Sequence, residues 1–380
     1  MSLNQDRLKE ADPADFVIFN EVSLGEEKYI GKVTLNRPMQ INVLNLAMVR
    51  MLYDQLVKWR KNNNVLAIWI EGNGEKGFCA GGDVKALALS EMAHRKSMSD
   101  VNAEKDNKNS DDMKKVPCEA FLFFDYEYNL DYLSHCYPKP VIVWGNGMVL
   151  GGGLGIFIGA SHRIACEDAS FAMPEVLIGL YPDVGASCFL HWLPHSFGLF
   201  WGLSATRLDL YDGKYFGLLD YPLAYTSKRS VFESLIQLPW LQAASHDEML
   251  NDFFTSFLLP LEPLKKPFQW CDVARYIEAD MKYKPLKRII EDIKNYVFLP
   301  QSVSAALNER LAAASPFSLS TTFMLWHMSR HFSLKKAFVL DKKMVRIFIR
   351  HHPDFIEGVR ALLIDKDKTP KWQNCAAQFV

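Results

Sequence analysis

The chain has 380 residues, of which 49% are hydrophobic and 23% charged, with 43 Lys and Arg against 44 Asp and Glu for a formal charge of −1. That length exceeds what a single core usually supports without an appended subdomain, and the composition excludes disorder over most of the chain. The balanced charge provides no global field for a polyphosphate backbone or an anionic bilayer, so neither nucleic acid nor membrane is expected as a partner.

Seven cysteines, Cys79, Cys118, Cys136, Cys166, Cys188, Cys271 and Cys375, are scattered and include no C-x-x-C pair. They read as reduced thiols rather than a disulfide frame or zinc site. Met1 to Phe16 carries four acidic residues and no apolar run. This argues against a secretory or transit signal, so a bacterial cytoplasm is expected, or the mitochondrial matrix for a eukaryotic protein.

In chain order, Ile30 to Leu35 reads as a strand that stops at Asn36-Arg37-Pro38. Asn45 is a fair N-cap for a helix whose Met48, Val49, Leu52, Leu56 and Trp59 form one stripe. Asn62-Asn63-Asn64 ends that helix, and Val65 to Ile70 is a β-rich run with the character of a buried strand. Ser90 to Lys115 is polar and charged with few large aliphatics, so a mobile surface excursion is expected there. Val141 to Trp144, His162 to Cys166 and Ser170 to Met173 are short strands. Strand, helix and strand in this order predict right-handed crossovers, with helices packed on a largely parallel sheet. After about Ser227 helical spacing takes over, at Ser245 to Phe257, Asp272 to Lys284, Lys287 to Val297 and Ser315 to Arg350. The last opens on a serine N-cap followed by proline at the first helical position. The expected organisation is a core over residues 1–227, with the excursion at 90–115, and a helical region over 228–380.

Val141 to Ala160 is uncharged for twenty residues, but seven glycines and an asparagine make it a poor membrane span. Its glycines matter for another reason. Gly77-Phe78-Cys79-Ala80-Gly81-Gly82-Asp83 and Gly151-Gly152-Gly153 each follow a strand and precede a possible helix. Such turns let the backbone approach a ligand, and the unpaired N–H groups of the first helical turn can face a developing negative charge. Two of them together could form an oxyanion hole, although glycine at strand-to-helix turns also serves sterics alone. A dinucleotide site is a competing reading, since Gly153-Leu154-Gly155 opens a helix and Glu175 lies twenty residues beyond Gly155. The third glycine of that pattern is missing, because Ile158 stands in its place.

Glu175 and Asp183 lie eight residues apart, each preceded by a proline in an apolar stretch. A low-polarity pocket raises a carboxyl pKa and suits base or nucleophile work; the alternative is that the pair caps a turn and starts a helix. Gly185-Ala186-Ser187-Cys188-Phe189 lacks the last glycine of a nucleophile elbow. His327 and His331, like His191 and His195, are four apart without the H-E-x-x-H glutamate. No metal or redox cofactor is expected.

Taken together, these motifs resemble the crotonase (enoyl-CoA hydratase/isomerase) superfamily. The resemblance runs from about Val17 to Trp372, through Leu35-Asn36-Arg37-Pro38, Gly77 to Asp83, Gly145 to Gly155 and Ala172-Met173-Pro174-Glu175. Ile178-Gly179-Leu180-Tyr181-Pro182-Asp183-Val184-Gly185, together with Phe355-Ile356-Glu357-Gly358-Val359-Arg360 and Ile364-Asp365-Lys366-Asp367, resembles the branch that hydrolyses 3-hydroxyisobutyryl-CoA.

The resemblance implies an α/β ββα spiral of the crotonase type with an α-helical C-terminal region over the CoA site. It also implies an acyl-CoA substrate of which coenzyme A is itself a part, and a possible homo-oligomer. It puts the oxyanion amides at Gly82 and Gly152, with Gly81, Asp83, Gly151 and Gly153 lining the substrate. It makes Glu175 the catalytic carboxylate, with Asp183 beside it. A hydratase of this superfamily carries a further glutamate where this chain has Gly155. Hydration needs a base for water and a proton for carbon, whereas a thiolate with a pKa near roughly 8.5 leaves a thioester without a strong acid. Thioester hydrolysis is therefore the expected activity. The alternatives are enoyl-CoA hydration or isomerisation, and a non-enzymatic acyl-CoA-binding or assembly role.

Overall fold

The computed structural model describes residues 13–103, 118–194, 196–281 and 283–373. Its first half alternates strands and helices: β1 (Val17–Gly25), β2 (Lys28–Leu35), α1 (Leu46–Lys61), β3 (Val65–Gly72), β4 (Gly77–Cys79), α2 (Val84–Ala103) and α3 (Glu119–His135). Next come β5 (Val141–Gly145), β6 (Met148–Leu150), α4 (Gly152–Ile158), β7 (His162–Ala165) and β8 (Ser170–Ala172), with a 3-10 turn at Glu175–Ile178. Then follow α5 (Ala186–Phe189), α6 (Phe197–Ser204), β9 (Leu208–Asp209), α7 (Leu210–Tyr215) and β10 (Tyr221–Pro222). The remainder is helical: α8 (Lys228–Leu235), α9 (His246–Thr255), α10 (Trp270–Met281), α11 (Leu286–Lys294), α12 (Gln301–Ala313), α13 (Pro316–Ser329), α14 (Leu334–Arg346) and α15 (Asp354–Val359).

Two sheets form, in the orders β1-β2-β3-β5-β7-β10 and β4-β6-β8-β9. In the large sheet only β1 runs antiparallel, pairing Val17 with Leu35, while β2 to β10 are parallel. The continuous apolar run of β3 is explained by burial on both faces. Val65, Ile68 and Ile70 enter the main core, whereas Ala67 and Trp69 meet Val231, Leu235, Leu250 and Phe254 from α8 and α9. Residues 228–255 thus cover the outer face of the sheet, whereas later helices join the main core.

The α1 helix starts where expected: the Asn45 side chain accepts from the Met48 N–H, and Met48, Val49, Leu52, Leu56 and Trp59 are all buried. Gly31 lets the sheet approach this helix, since a Cβ there would lie 2.7 Å from the Trp59 ring. Two other expectations are corrected. Residues 90–103 continue α2, and Glu91 on that helix is buried, so this part is not an excursion; residues 104–115 lie outside the described residues. The stretch from Ser315 to Arg350 is two helices rather than one, because Ser333 caps a new helix by accepting from the Lys336 N–H. The uncharged run 141–160 folds as β5, β6 and α4, and among the described residues no helix is long and apolar enough to cross a membrane.

Candidate active site

The second sheet sets up the site, because β4 and β6 run parallel and each ends in a glycine turn that opens a helix. In the first turn, Ala80 N–H donates to Ile41 O, Leu44 N–H to Gly81 O and Asp83 N–H to Leu44 O, at 2.9, 2.8 and 2.7 Å. The Gly82 N–H takes no part in these bonds and points away from Leu44. In the second turn, Gly151 has φ +50 and its N–H donates to Ala172 O at 3.3 Å. Gly152 begins α4, so its N–H has no intrahelical acceptor.

The two turns touch. A Cβ on Gly81 would lie 3.7 Å from Gly152 N, and one on Gly151 would lie 3.7 Å from Gly81 Cα. The backbone conformations at Gly81 (φ +100) and Gly151 (φ +50) favour glycine, and the contact sets the turns that carry Gly82 and Gly152, 70 positions apart, side by side.

Carboxylates close over these turns. Glu175 starts the 3-10 turn after β8, is 5% exposed, and its Oε1 lies 3.0 Å from where a Gly151 Cβ would stand. Its Oε2 is buried without a hydrogen-bond partner among the described residues. Glu127 of α3 is 2% exposed, and its Oε1 would lie 2.0 Å from a Gly152 Cβ and 4.0 Å from a Gly82 Cβ. Asp183 is 3% exposed and accepts from the Tyr128 hydroxyl at 2.6 Å. Asp131, one turn along α3 from Glu127, is fully buried with neither oxygen bonded among the described residues. Asp341 of α14 is fully buried and accepts from the Gly185 N–H at 2.8 Å.

Gathering acids in a dry region disfavours their ionisation. Burial pushes Asp183 up to about 6, while the Tyr128 hydroxyl acts against that rise. Burial and then the Asp183 charge hold Glu175 well above the ordinary carboxylate range. Glu127 is raised by burial and then by Asp183, Asp131 and Glu175. Asp131 is raised by burial, Asp183 and Asp341. The Asp183 charge adds to the rise at Glu175, Glu127 and Asp131, so these four side chains act as one electrostatic group.

The expected residues divide into two kinds. Gly81, Gly82, Gly151, Gly152, Glu175 and Asp183 come together, and Gly153 packs back on Cys79, whose carbonyl would lie 2.5 Å from a Cβ there. The Asp83 side chain accepts from Arg37 Nη1 and Nη2 at 3.3 and 3.2 Å and from Ala86 N–H at 3.4 Å. It fastens the first glycine turn to the Asn36-Arg37-Pro38 bend and caps α2. His191 rests 3.1 Å from Ser329 Oγ and stacks on Trp326, away from any cluster of possible metal ligands among the described residues. His195 lies outside the described residues. Gly155 explains its own identity, because a Cβ there would meet Asp131 Oδ2 and Val184 Cβ, both at 2.8 Å.

The sequence profile described as "Enoyl-CoA hydratase/isomerase" matches residues 30–380. The chain belongs to the enoyl-CoA hydratase/isomerase family. Its fold is that family's crotonase fold: a solved carnitinyl-CoA dehydratase from Mycobacterium thermoresistibile superposes with a TM-score of 0.74 at 25% identity, covering 94% of this chain and 91% of the other. A relative named 3-hydroxyisobutyryl-CoA hydrolase, mitochondrial, from Danio rerio is 34% identical over 90% of this chain and 82% of its own length. Small ribosomal subunit protein mS47 of Neurospora crassa is 32% identical over 96% of this chain and 69% of its own.

The residues that sequence reasoning missed at this site are Glu127, Tyr128 and Asp131 on α3 and Asp341 on α14. The signal that exposed Glu175 was present for the first group too: acids set within Phe121-Leu122-Phe123-Phe124 and the tyrosines that follow.

Proposed function

We propose that the protein hydrolyses an acyl-CoA thioester, with 3-hydroxyisobutyryl-CoA of valine breakdown as its substrate. The observation that carries this reading is the Glu175 carboxylate against the contact of the two glycine turns, with no second glutamate at position 155. The thioester carbonyl oxygen would accept from the Gly82 and Gly152 N–H groups, each donor contributing roughly 2.7–4 kcal/mol to the transition state. Glu175 then either attacks the carbonyl carbon, expelling CoA thiolate and leaving a mixed anhydride that water cleaves, or takes a proton from a water that attacks directly. Both routes give the free acid and CoA. A fixed carboxylate with one unbonded oxygen serves either route.

Asp183 is assigned the substrate's 3-hydroxyl or a proton relay. If it receives the hydroxyl, a plain acyl chain leaves a buried polar group unpaired and is discriminated against by up to roughly 10⁴-fold. The named hydrolase relative supports hydrolysis over hydration, and Gly155 supports it independently. The ribosomal relative keeps an assembly role as the second reading.

A thiol-release assay over 3-hydroxyisobutyryl-, 3-hydroxypropionyl-, isobutyryl- and crotonyl-CoA separates these readings. Hydrolysis frees CoA, hydration removes the enoyl chromophore without freeing it, and an assembly protein does neither. Glu175→Gln is expected to lower kcat by at least about 10³-fold. Wild-type turnover in that variant would remove Glu175 from the mechanism.

A further inference from the structure

A second concave site lies away from the carboxylates, where the end of α6 faces α10 and α12. It is open to solvent, has a volume of about 280 Å³ and is lined by Arg207, Arg310, Phe268, Trp270, Ser302 and Val303 among others. Two guanidinium groups share this space without a carboxylate partner. Arg310 Nε donates to Ser204 O at 3.2 Å and its Nη2 to Thr206 Oγ1 at 3.4 Å, both neutral oxygens. Arg207 is exposed and makes no hydrogen bond or ion pair among the described residues. Burial, followed by the Arg207 charge, lowers the Arg310 pKa, and only Glu309 acts the other way.

The surroundings are cationic in the same sense. Ser302 and Val303 belong to the first turn of α12, which has Pro300 as its N-cap, no side-chain cap and no acidic residue in that turn. Its free amides add partial positive charge to the rim. On the other side, Phe268 and Trp270 meet edge to face at 5.1 Å and present an apolar wall. Like charges held together, forked donors in excess of their acceptors and an aromatic wall form the complement of one ligand class.

We infer that this pocket binds a phosphate monoester, its phosphate between Arg207 and Arg310 and its organic part against Phe268 and Trp270. The inference is independent of the proposed hydrolysis, because none of these residues belongs to the carboxylate and glycine cluster.

The test is calorimetric titration of the whole protein with inorganic phosphate and with AMP, in the presence of saturating CoA so that the thioester site is occupied. We expect one AMP per chain under these conditions, bound at least about tenfold more tightly than phosphate. Arg207→Gln, at an exposed residue with no bonds to lose, should weaken AMP by about tenfold or more, and Arg310→Lys should weaken it while keeping the charge. Absence of binding, displacement of AMP by CoA, or unchanged affinity in Arg207→Gln would overturn the site. Equal affinities for phosphate and AMP would overturn the assignment of an ester.

Discussion

Replacing Tyr128 by phenylalanine removes the hydroxyl that donates to Asp183 Oδ2 at 2.6 Å. The ring itself is fully buried and rests beside Phe124 and Phe338, with centroids 5.7 and 6.5 Å away, so phenylalanine keeps the packing. A hydrogen bond to a charged group contributes roughly 1.5–3 kcal/mol, and about 1.4 kcal/mol corresponds to one pH unit. Asp183 already sits at about 6 because burial outweighs that bond. Without it the carboxyl should titrate about one to two units higher. The assay is the pH dependence of kcat/KM for thiol release, from pH 5 to 9. If ionised Asp183 is needed, the acidic limb of the wild type falls near its value of about 6, and in Tyr128→Phe that limb moves upward while the high-pH plateau is largely kept. A limb that stays in place would show that Asp183 ionisation does not govern turnover.

Two further outcomes are expected. Asp131 is raised well above its ordinary value, so its folded form holds a proton that the unfolded chain releases; that contribution is complete below the unfolded pKa and is lost as pH rises. Asp131→Asn should therefore raise Tm, by more at pH 8 than at pH 5.5, and an equal change at both values in thermal melts would refute the cause. Gly179 has φ +69, and a Cβ there would stand 2.1 Å from Asp354 O, so Gly179→Ala should cost about 3 kcal/mol or more and lower kcat by displacing the Glu175 turn. A variant with unchanged Tm and kcat would show that this contact has no such role.

Much of the fold could be read from residue pattern because its governing interactions are local. Asn45 caps α1 through its own side chain, and the strand β3 is short, β-rich and bounded by turns. The two glycine turns and the proline-flanked acids were legible for the same reason, since each announces an unusual backbone or an unusual environment. α3 was not, because acids stand on its inner face as well as its outer one: Phe123, Phe124, Tyr128, Leu130 and Leu133 are buried together with Glu127 and Asp131, so charge does not mark which side faces out. Asp341 was illegible for a different reason. Its partner is the Gly185 N–H, 156 positions away, and no local pattern reports a bond closed only by tertiary packing. The polar start of 90–115 misled because charge was taken as exposure, yet Glu91 is buried and paired with Arg95 at 2.9 Å.

The α15 segment presses on the turn that carries Glu175 backbone to backbone: a Cβ on Gly358 would lie 2.4 Å from the Ile178 carbonyl carbon, and Asp354 O occupies the space beside Gly179. Asp354 is in turn held by the Ser315 hydroxyl at 2.6 Å and by the Gln373 N–H at 2.9 Å. A ribosome making this protein therefore delivers the buttress only after the reactive loop it supports has been made. A nascent chain halted between residues 186 and 353 carries both glycine turns and both proposed acids but lacks the brace behind them, so competence waits for a segment made well after the reactive loop, and damage to that segment is felt at the centre.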